Sequence, residues 1–230
     1  MPRKLKEKTV SDILRDALSE RSYRNLISIA NPALHAFVAD AAELCEPDSV
    51  WVSTDSPEDV EYTRRMAVEL CEERPLQTSG HTFHFDGMED QGRDREVTKY
   101  LVPKMDTLSK ALNQIDREEG LAEVRGLLKG AMKGRTMIVR FLTLGPNNSV
   151  FSIPCVECTD SFYVSHMLNL LYRLGYEEFR RLGDKAHFLA TLHSCGRLDD
   201  RMVSTDSDKK RIYIDYTTDT VYSVNTQYAG

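Results

Sequence analysis

The sequence lacks the features that mark membrane, secreted and nucleic-acid-binding proteins. No apolar run approaches the roughly 18 residues that span a bilayer, and the N-terminus lacks the apolar middle of a signal peptide. The five cysteines are an odd number without a disulfide-like spacing, which is typical of a reducing compartment. The net charge is -6 and no basic patch dominates, so nucleic-acid binding has no electrostatic footprint. We therefore expect a cytoplasmic protein that binds neither membranes nor nucleic acid.

The amino-acid composition is typical of a globular domain. The 230 residues are 41% hydrophobic and 29% charged, and a chain of this length can bury a substantial core. Helical spacing over residues 10–18, with Thr9 or Ser11 as the cap, predicts a first helix. Asn31 followed by Pro32 predicts the start of another, since proline suits the first helical position.

The remaining patterns alternate between strands and helices. Strands are predicted over 49–53, 81–85, 99–102, 137–144, 151–158 and 187–192, and a hairpin over 211–216 and 221–224. Helices are predicted from residue 57, over 108–129 with a break near Gly120, and from a cap at Asp160 or Ser161 to Phe179. We expect an α/β fold, a mixed sheet covered by helices in a single domain (residues 31–230), preceded by a helical appendage (residues 1–30).

Several short motifs stand in a fixed order along the chain. They are Met-Lys-Gly-Arg-Thr-Met (132–137), Leu-Gly-Pro (144–146), Thr-Asp-Ser (159–161), Leu-His-Ser-Cys-Gly (192–196) and Gln-Tyr-Ala-Gly (227–230), with Asn-Pro-Ala-Leu (31–34) and Glu-Leu-Cys-Glu-Pro-Asp-Ser (43–49) upstream. In this order and spacing the sequence resembles the N-terminal domain of GTP-dependent phosphoenolpyruvate carboxykinases. By this resemblance, the expected α/β fold with a mixed sheet is that of the carboxykinase N-terminal domain.

The resemblance also implies an activity. Enzymes of this family convert oxaloacetate and GTP to phosphoenolpyruvate, GDP and carbon dioxide in gluconeogenesis, and are more than twice this long. They use Mn²⁺ (or Mg²⁺) and GTP, both held by residues of the C-terminal nucleotide-binding domain. This sequence contains no Gly-x-x-x-x-Gly-Lys-Ser/Thr motif and no assignable metal triad. We expect a fragment that is inactive alone and needs that domain as its partner.

Two arginines are candidates for the substrate clamp. The planar fork of a guanidinium holds a carboxylate with two parallel hydrogen bonds, as a small dicarboxylic substrate requires. By resemblance, a mobile loop of the family carries such an arginine between a small and an acidic residue. Arg93 in Gly-Arg-Asp matches that pattern best, and a shifted register would give the role to Arg95.

The last three residues supply a second candidate site. By resemblance, a tyrosine followed by two small residues lies beside the bound substrate, and a glycine N–H donates to its carboxylate. A ring edge is weakly positive and tolerates an anion, and a glycine lets the backbone approach a ligand closely. Tyr228 and Gly230 fit these roles, whereas Ala229 departs from the commoner glycine.

Other reactive side chains have structural interpretations. Arg135 is predicted to pin a turn before a strand. Adjacent strand residues point to opposite faces, so a histidine at 193 would not activate the serine at 194. The same alternation separates Cys155 from Cys158, and we assign no metal to that pair or to the histidines at 81 and 84.

A different class of function remains open at this point. The chain could be a stand-alone, non-catalytic domain that binds a small carboxylate or a partner protein. The intact mass of the native protein separates the two hypotheses, because only the fragment hypothesis requires a mass well above 26.2 kDa.

Overall fold

A mixed β-sheet of nine strands forms the centre of the part that the computed structural model describes, namely residues 8–85, 87, 90 and 96–227. The strands are β1 (Ser49–Val52), β4 (Thr98–Val102), β5 (Gln114–Asp116), β6 (Thr136–Leu144), β7 (Ile153–Thr159), β8 (Arg173–Leu174), β9 (Leu189–Ser194), β10 (Arg211–Asp215) and β11 (Thr220–Val224), with β2 (Arg74–Pro75) and β3 (Thr82–Phe83) as a separate pair. The order is β1-β6-β7-β9-β11-β10-β4-β5, and β8 pairs with β6.

Helices cover both faces of this sheet. They are α1 (Val10–Ala17), α2 (Glu20–Ile27), α3 (Pro32–Cys45), α4 (Pro57–Glu69), α5 (Arg117–Leu128), α6 (Phe162–Leu171) and α7 (Tyr176–Leu182), with 3₁₀ turns at Gly183–Lys185 and Ser207–Lys209. Strand β6 shows the division, because Val139 and Phe141 enter the main core while Ile138 and Leu142 pack beneath α4 and α6. The expected α/β domain with a mixed sheet is confirmed. None of these helices has both the length and the apolar character needed to cross a membrane.

The predicted starts of α1, α3 and α6 are confirmed. Thr9 caps α1 in a capping box with Asp12, and the Asn31 side chain accepts from the Leu34 N–H at 3.0 Å. Ser161 caps α6 by accepting from the Val164 N–H at 3.1 Å. These ends depend on residues within one turn of each other, which a sequence pattern can capture.

The predicted helix over 108–129 is wrong in its first half. Residues Gln114–Asp116 form β5, and the Asp116 carboxylate caps α5 by accepting from the N–H groups of residues 118 and 119. Gly120 does not break the helix. It lies inside α5, where a side-chain methyl would overlap the Leu101 side chain of β4. The glycine is explained by this close approach of helix and strand.

The single long helix predicted from residue 160 or 161 to Phe179 is also wrong. Helix α6 ends at residue 171, β8 then pairs with β6, and α7 follows. A Cβ on Gly175 would overlap the Leu142 backbone, and the Asp55 carboxylate caps α7 from another segment. Both contacts are tertiary, so apolar spacing along the helix did not indicate the break.

The predicted appendage contributes to the main core. Leu14, Leu18, Leu26 and Ile29 are buried in the same cluster as residues of β1, β6, β7 and β9. The boundary between residues 1–30 and the rest stays a prediction.

Candidate functional site at the carboxyl ends of three parallel strands

Three neighbouring parallel strands end at one edge of the sheet. Strands β7, β9 and β11 run in the same direction, and β6 runs against β7. The segments that follow the three strands therefore lie at this edge, at residues 160–161, 195–196 and 225–227. Residue 135, which precedes β6, lies at the same edge. Open α/β sheets bind ligands outside the carboxyl ends of such strands. The motifs at 132–137, 159–161 and 192–196, distant in sequence, meet here.

The carboxylate of Asp160 joins these motifs. Its Oδ2 accepts from Ser194 Oγ at 2.6 Å and pairs with Arg135 Nη2 at 2.8 Å, and its Oδ1 accepts from the Cys195 N–H at 2.9 Å. The same Arg135 Nη2 donates to the Gly196 carbonyl at 2.7 Å. The predicted structural role of this arginine is confirmed, although it also ties together the loops after β7 and β9.

The imidazole of His193 is a buried connector. Its Nε2 lies 2.9 Å from the Thr226 carbonyl oxygen, which can only accept, so Nε2 carries the proton. Its Nδ1 then accepts from Thr159 Oγ1 at 2.7 Å. Burial lowers the pKa of this histidine, which favours the neutral ring. Ser194 instead donates to Asp160, so the prediction that the histidine does not activate the serine is confirmed.

Asp160, His193 and Cys195 place potential metal-ligand atoms within 4.8 Å of one another. The group does not fit a metal ion. The carboxylate already contacts the Arg135 guanidinium, and both ring nitrogens are engaged in hydrogen bonds. Burial raises the pKa of the Cys195 thiol well above 9.0, which keeps the sulfur protonated and a poor ligand.

Members of the two pairs with metal-like spacing, the cysteines at 155 and 158 and the histidines at 81 and 84, pack against other groups of the protein. Cys155 packs with Leu142 under α6, whereas Cys158 enters the main core on the opposite face, as strand alternation predicts. His84 stacks on the ring of Tyr163 at 3.7 Å between centroids, and its Nδ1 lies 2.6 Å from a backbone carbonyl oxygen.

A buried glutamate, which sequence reasoning missed, anchors the start of α6. Glu72 Oε2 accepts from Ser161 Oγ and from the Tyr163 N–H, both at 2.7 Å. Burial raises the pKa of this carboxyl group to about 7. The residue also lines an open cleft of about 520 Å³, together with Arg74 and Arg201. The sequence signal that could have indicated this residue was the pair of successive glutamates at 72 and 73 after an amphipathic helix. The burial of these glutamates, however, depends on tertiary contacts.

The four residues predicted to bind substrate are Arg93, Arg95, Tyr228 and Gly230, and they lie outside the described residues. The nearest described residue before Arg93 in the sequence is Asp90, and the described residue directly before Tyr228 is Gln227. Asp90 Oδ2 accepts from the Gln227 N–H at 2.6 Å, and Oδ1 accepts from Thr226 Oγ1 at 2.5 Å. The structure thus joins a residue of the polar loop to the segment that precedes the C-terminal candidates. Nothing in the spacing distinguished Asp90 from the other acids of that loop.

Comparison with known proteins gives a consistent result. A family model described as the phosphoenolpyruvate carboxykinase N-terminal domain matches residues 36–230. The chain is 52% identical over 217 residues to a phosphoenolpyruvate carboxykinase [GTP] of Pyrococcus abyssi, with 94% of this chain and 35% of the relative covered. It is 46% identical over 223 residues to the protein of that name from Saccharolobus solfataricus, with 97% and 35% covered. The chain therefore spans about a third of the length of these relatives.

Proposed function

This chain belongs to the phosphoenolpyruvate carboxykinase N-terminal domain family, and from that premise we propose that it is the substrate-side part of a GTP-dependent carboxykinase. The complete protein would convert oxaloacetate and GTP to phosphoenolpyruvate, GDP and carbon dioxide, in the cytoplasm and in gluconeogenesis. The observation that carries the proposal is the meeting of the family motifs at one edge of the sheet, which the segment leading to Tyr228 also reaches.

Each candidate residue has a defined role in this proposal. The Arg93 guanidinium holds a substrate carboxylate with two charged hydrogen bonds, with Arg95 as the alternative. The Gly230 N–H donates to a substrate carboxylate, and the Tyr228 ring edge faces the anion. The buried carboxylate of Asp160 and the buried imidazole of His193 each hold surrounding loops through their own contacts and take no part in proton transfer.

We propose that the metal and nucleotide sites belong to a C-terminal nucleotide-binding domain. A divalent cation neutralises charge on the enolate and the phosphates in chemistry of this kind. The cluster around Asp160 does not fit such an ion, and the sequence has no P-loop motif. The 230 residues alone would then bind at most the carboxylate substrate.

Replacing Arg93 with methionine in the full-length gene product tests the proposal. Loss of a charged, two-pronged contact should lower kcat/KM for oxaloacetate by about 100-fold or more. Arg197→Met is the matched control, because that side chain is 74% exposed and pairs with Asp206 at 3.0 Å. We expect the control to retain wild-type kinetics.

Two outcomes would contradict parts of this proposal. Wild-type kinetics in Arg93→Met together with a large loss in Arg95→Met would move the clamp to the second arginine. A full-length wild-type protein that forms no phosphoenolpyruvate from oxaloacetate and GTP would refute the carboxykinase function itself.

A further inference from the structure

We propose that an apolar patch at one end of the sheet is the contact surface for a second copy of this protein. Seven large apolar side chains form the patch, and each of them is between 38% and 93% exposed. The apolar patch consists of Leu144, Val150, Phe151, Ile153, Leu170, Leu171 and Leu189.

The strand register brings the β-sheet members of the patch together. Leu144 of β6 is opposite Ile153 of β7. Leu189 of β9 is opposite Cys155, which is the next residue on the same face of β7. Leu142, on the same face of β6, packs against α6. The three leucine and isoleucine side chains therefore lie side by side on the face of the sheet that α6 covers.

The end of α6 and the turn between β6 and β7 complete the patch. Helix α6 starts just after β7 and packs back over β6, β7 and β8, so that Leu170 and Leu171 lie at its far end. Strand β8 follows directly and pairs with β6, which places the end of the helix near the end of that strand. Val150 and Phe151 lie in the turn between β6 and β7.

Polar contacts hold this turn in place although its apolar side chains are exposed. The Asn147 side-chain amide donates to the Leu174 carbonyl at 2.9 Å. The Asn148 N–H donates to the Glu178 carboxylate at 3.0 Å. A turn fixed in this way loses little conformational entropy when a partner covers it. Phe151, which is 75% exposed, is thus a preorganised aromatic anchor of the kind found at the centre of interfaces.

The exposed area of the patch matches that of a stable interface. Large side chains present roughly 150–200 Å² each, so the exposed fractions of these seven come to roughly 700 Å². The largest apolar patch of a typical monomer covers about 300–600 Å². A standard interface buries about 800 Å² on each partner. The patch is therefore large for a free surface and close in size to one half of a dimer interface.

The absence of formal charge favours a second copy as the occupant. The sequence has no Asp, Glu, Lys or Arg between Arg140 and Glu157, nor between Asp160 and Arg173. In a two-fold symmetric contact the same surface is present on both sides, so a charged group near the axis would face its own copy. An uncharged apolar surface is complementary to itself, and homodimer interfaces are more apolar than other interfaces.

The patch lies at the opposite end of the sheet from the candidate site. The site is at the carboxyl ends of β7 and β9, whereas Ile153 and Leu189 begin these strands. Strand β7 has seven residues and is about 20 Å long. A nucleotide-binding domain that completes the substrate site must reach the carboxyl-end edge. This step, which rests on the proposed function, leaves the apolar patch to a second copy.

Light scattering coupled to size-exclusion chromatography of the full-length gene product tests the inference. The wild-type protein should have twice the mass of one chain. Phe151→Asp should weaken the association by at least about 30-fold, the effect of losing an interface anchor, because like charges would then face each other. Leu171→Asp should have the same effect, and it provides a second probe if the first variant is poorly folded.

Leu76→Asp is the matched control. Leu76 is 48% exposed and follows β2, and the residue at 72, just before β2, contacts the start of α6, away from the patch. We expect this variant to associate as the wild type does. Thermal unfolding of each variant checks that the introduced charge leaves the fold intact.

Two results would overturn the inference. One is a monomeric wild-type protein, whether the patch is open to solvent or covered by another part of the gene product. The other is a dimer that both Phe151→Asp and Leu171→Asp leave intact, because its interface would lie elsewhere. Formation of phosphoenolpyruvate by the wild type is measured independently of its mass, so failure of the proposed function and failure of this inference are distinguishable.

Discussion

Asp160 is a carboxylate with no solvent-exposed surface, and its environment explains how a charge is retained there. It receives hydrogen bonds from a hydroxyl and a backbone amide, and it forms an ion pair with the guanidinium of Arg135. A buried charge is tolerated when paired and fully hydrogen-bonded, and becomes costly when one partner is removed. At the scale of single residues, three loops of this protein depend on one side chain.

Asp160→Asn should therefore lower the free energy of unfolding by about 3 kcal/mol, because it leaves the Arg135 charge uncompensated. Asp40→Asn is the matched control, since Asp40 binds Arg125 with two hydrogen bonds of 2.8 Å but is 52% exposed. The control should change stability by less than about 1 kcal/mol. Urea unfolding at pH 7 measures both, and equal losses would show that the buried network contributes no more than a surface pair.

Helix α5 shows how an element is shaped by its neighbours. It contains two glycines, and both would be expected to weaken an isolated helix. Gly120 faces β4 and β5, where a methyl group would overlap Leu101 and lie 3.0 Å from the Ile115 Cγ2. A methyl group on Gly126 would meet no atom of another described segment within 4 Å. The two positions share a helix and differ in the space around them.

The pair Gly120→Ala and Gly126→Ala tests this difference. The first should destabilise the protein by about 1–3 kcal/mol through overpacking. The second should stabilise it by up to about 1 kcal/mol through helix propensity. Thermal unfolding of the two variants under identical conditions measures the effect. Stabilisation by both would mean that Leu101 repacks without cost and that the close approach is unimportant.

At the scale of the whole molecule, the sheet assembles one edge from segments far apart in the chain. Strands β7, β9 and β11 bring three loops together, and Asp90 bonds to the segment that follows β11. The relatives named phosphoenolpyruvate carboxykinase [GTP] are about three times as long as this chain. The proposed function therefore concerns a larger protein than these residues.

We expect the intact mass of the native protein, captured from its source cells with an antibody against this chain, to lie well above 26.2 kDa. The purified 230 residues should show no GTP-dependent, manganese-stimulated conversion of oxaloacetate, whereas the longer product should. A native mass of 26.2 kDa would favour the non-catalytic binding domain instead. Measurable conversion by the purified chain alone would contradict the assignment of both missing sites to another domain.

Local features could be read from the sequence because their causes are local. The caps at Thr9, Asn31 and Ser161 act within one turn, and the β10–β11 hairpin joins residues close in the chain. The collinear motifs also identified the family, because their order can be recognised in the sequence without knowledge of tertiary contacts. The clamp candidates Arg93 and Arg95, and the second candidate site at Tyr228 and Gly230, rest on that resemblance and stay predictions.

The sequence by itself determined the α/β class, the starts of α1, α3 and α6, and the family. Tertiary structure alone decided that β8 and Gly175 interrupt the predicted helix, that Gly120 sits inside α5, and that Asp90 bonds to Gln227. Each of these depends on an atom contributed by a distant segment, such as the Leu142 backbone or the Leu101 side chain. Periodicity and capping report the preferences of neighbouring residues, whereas steric exclusion and the burial of charge are settled only when distant strands pack together.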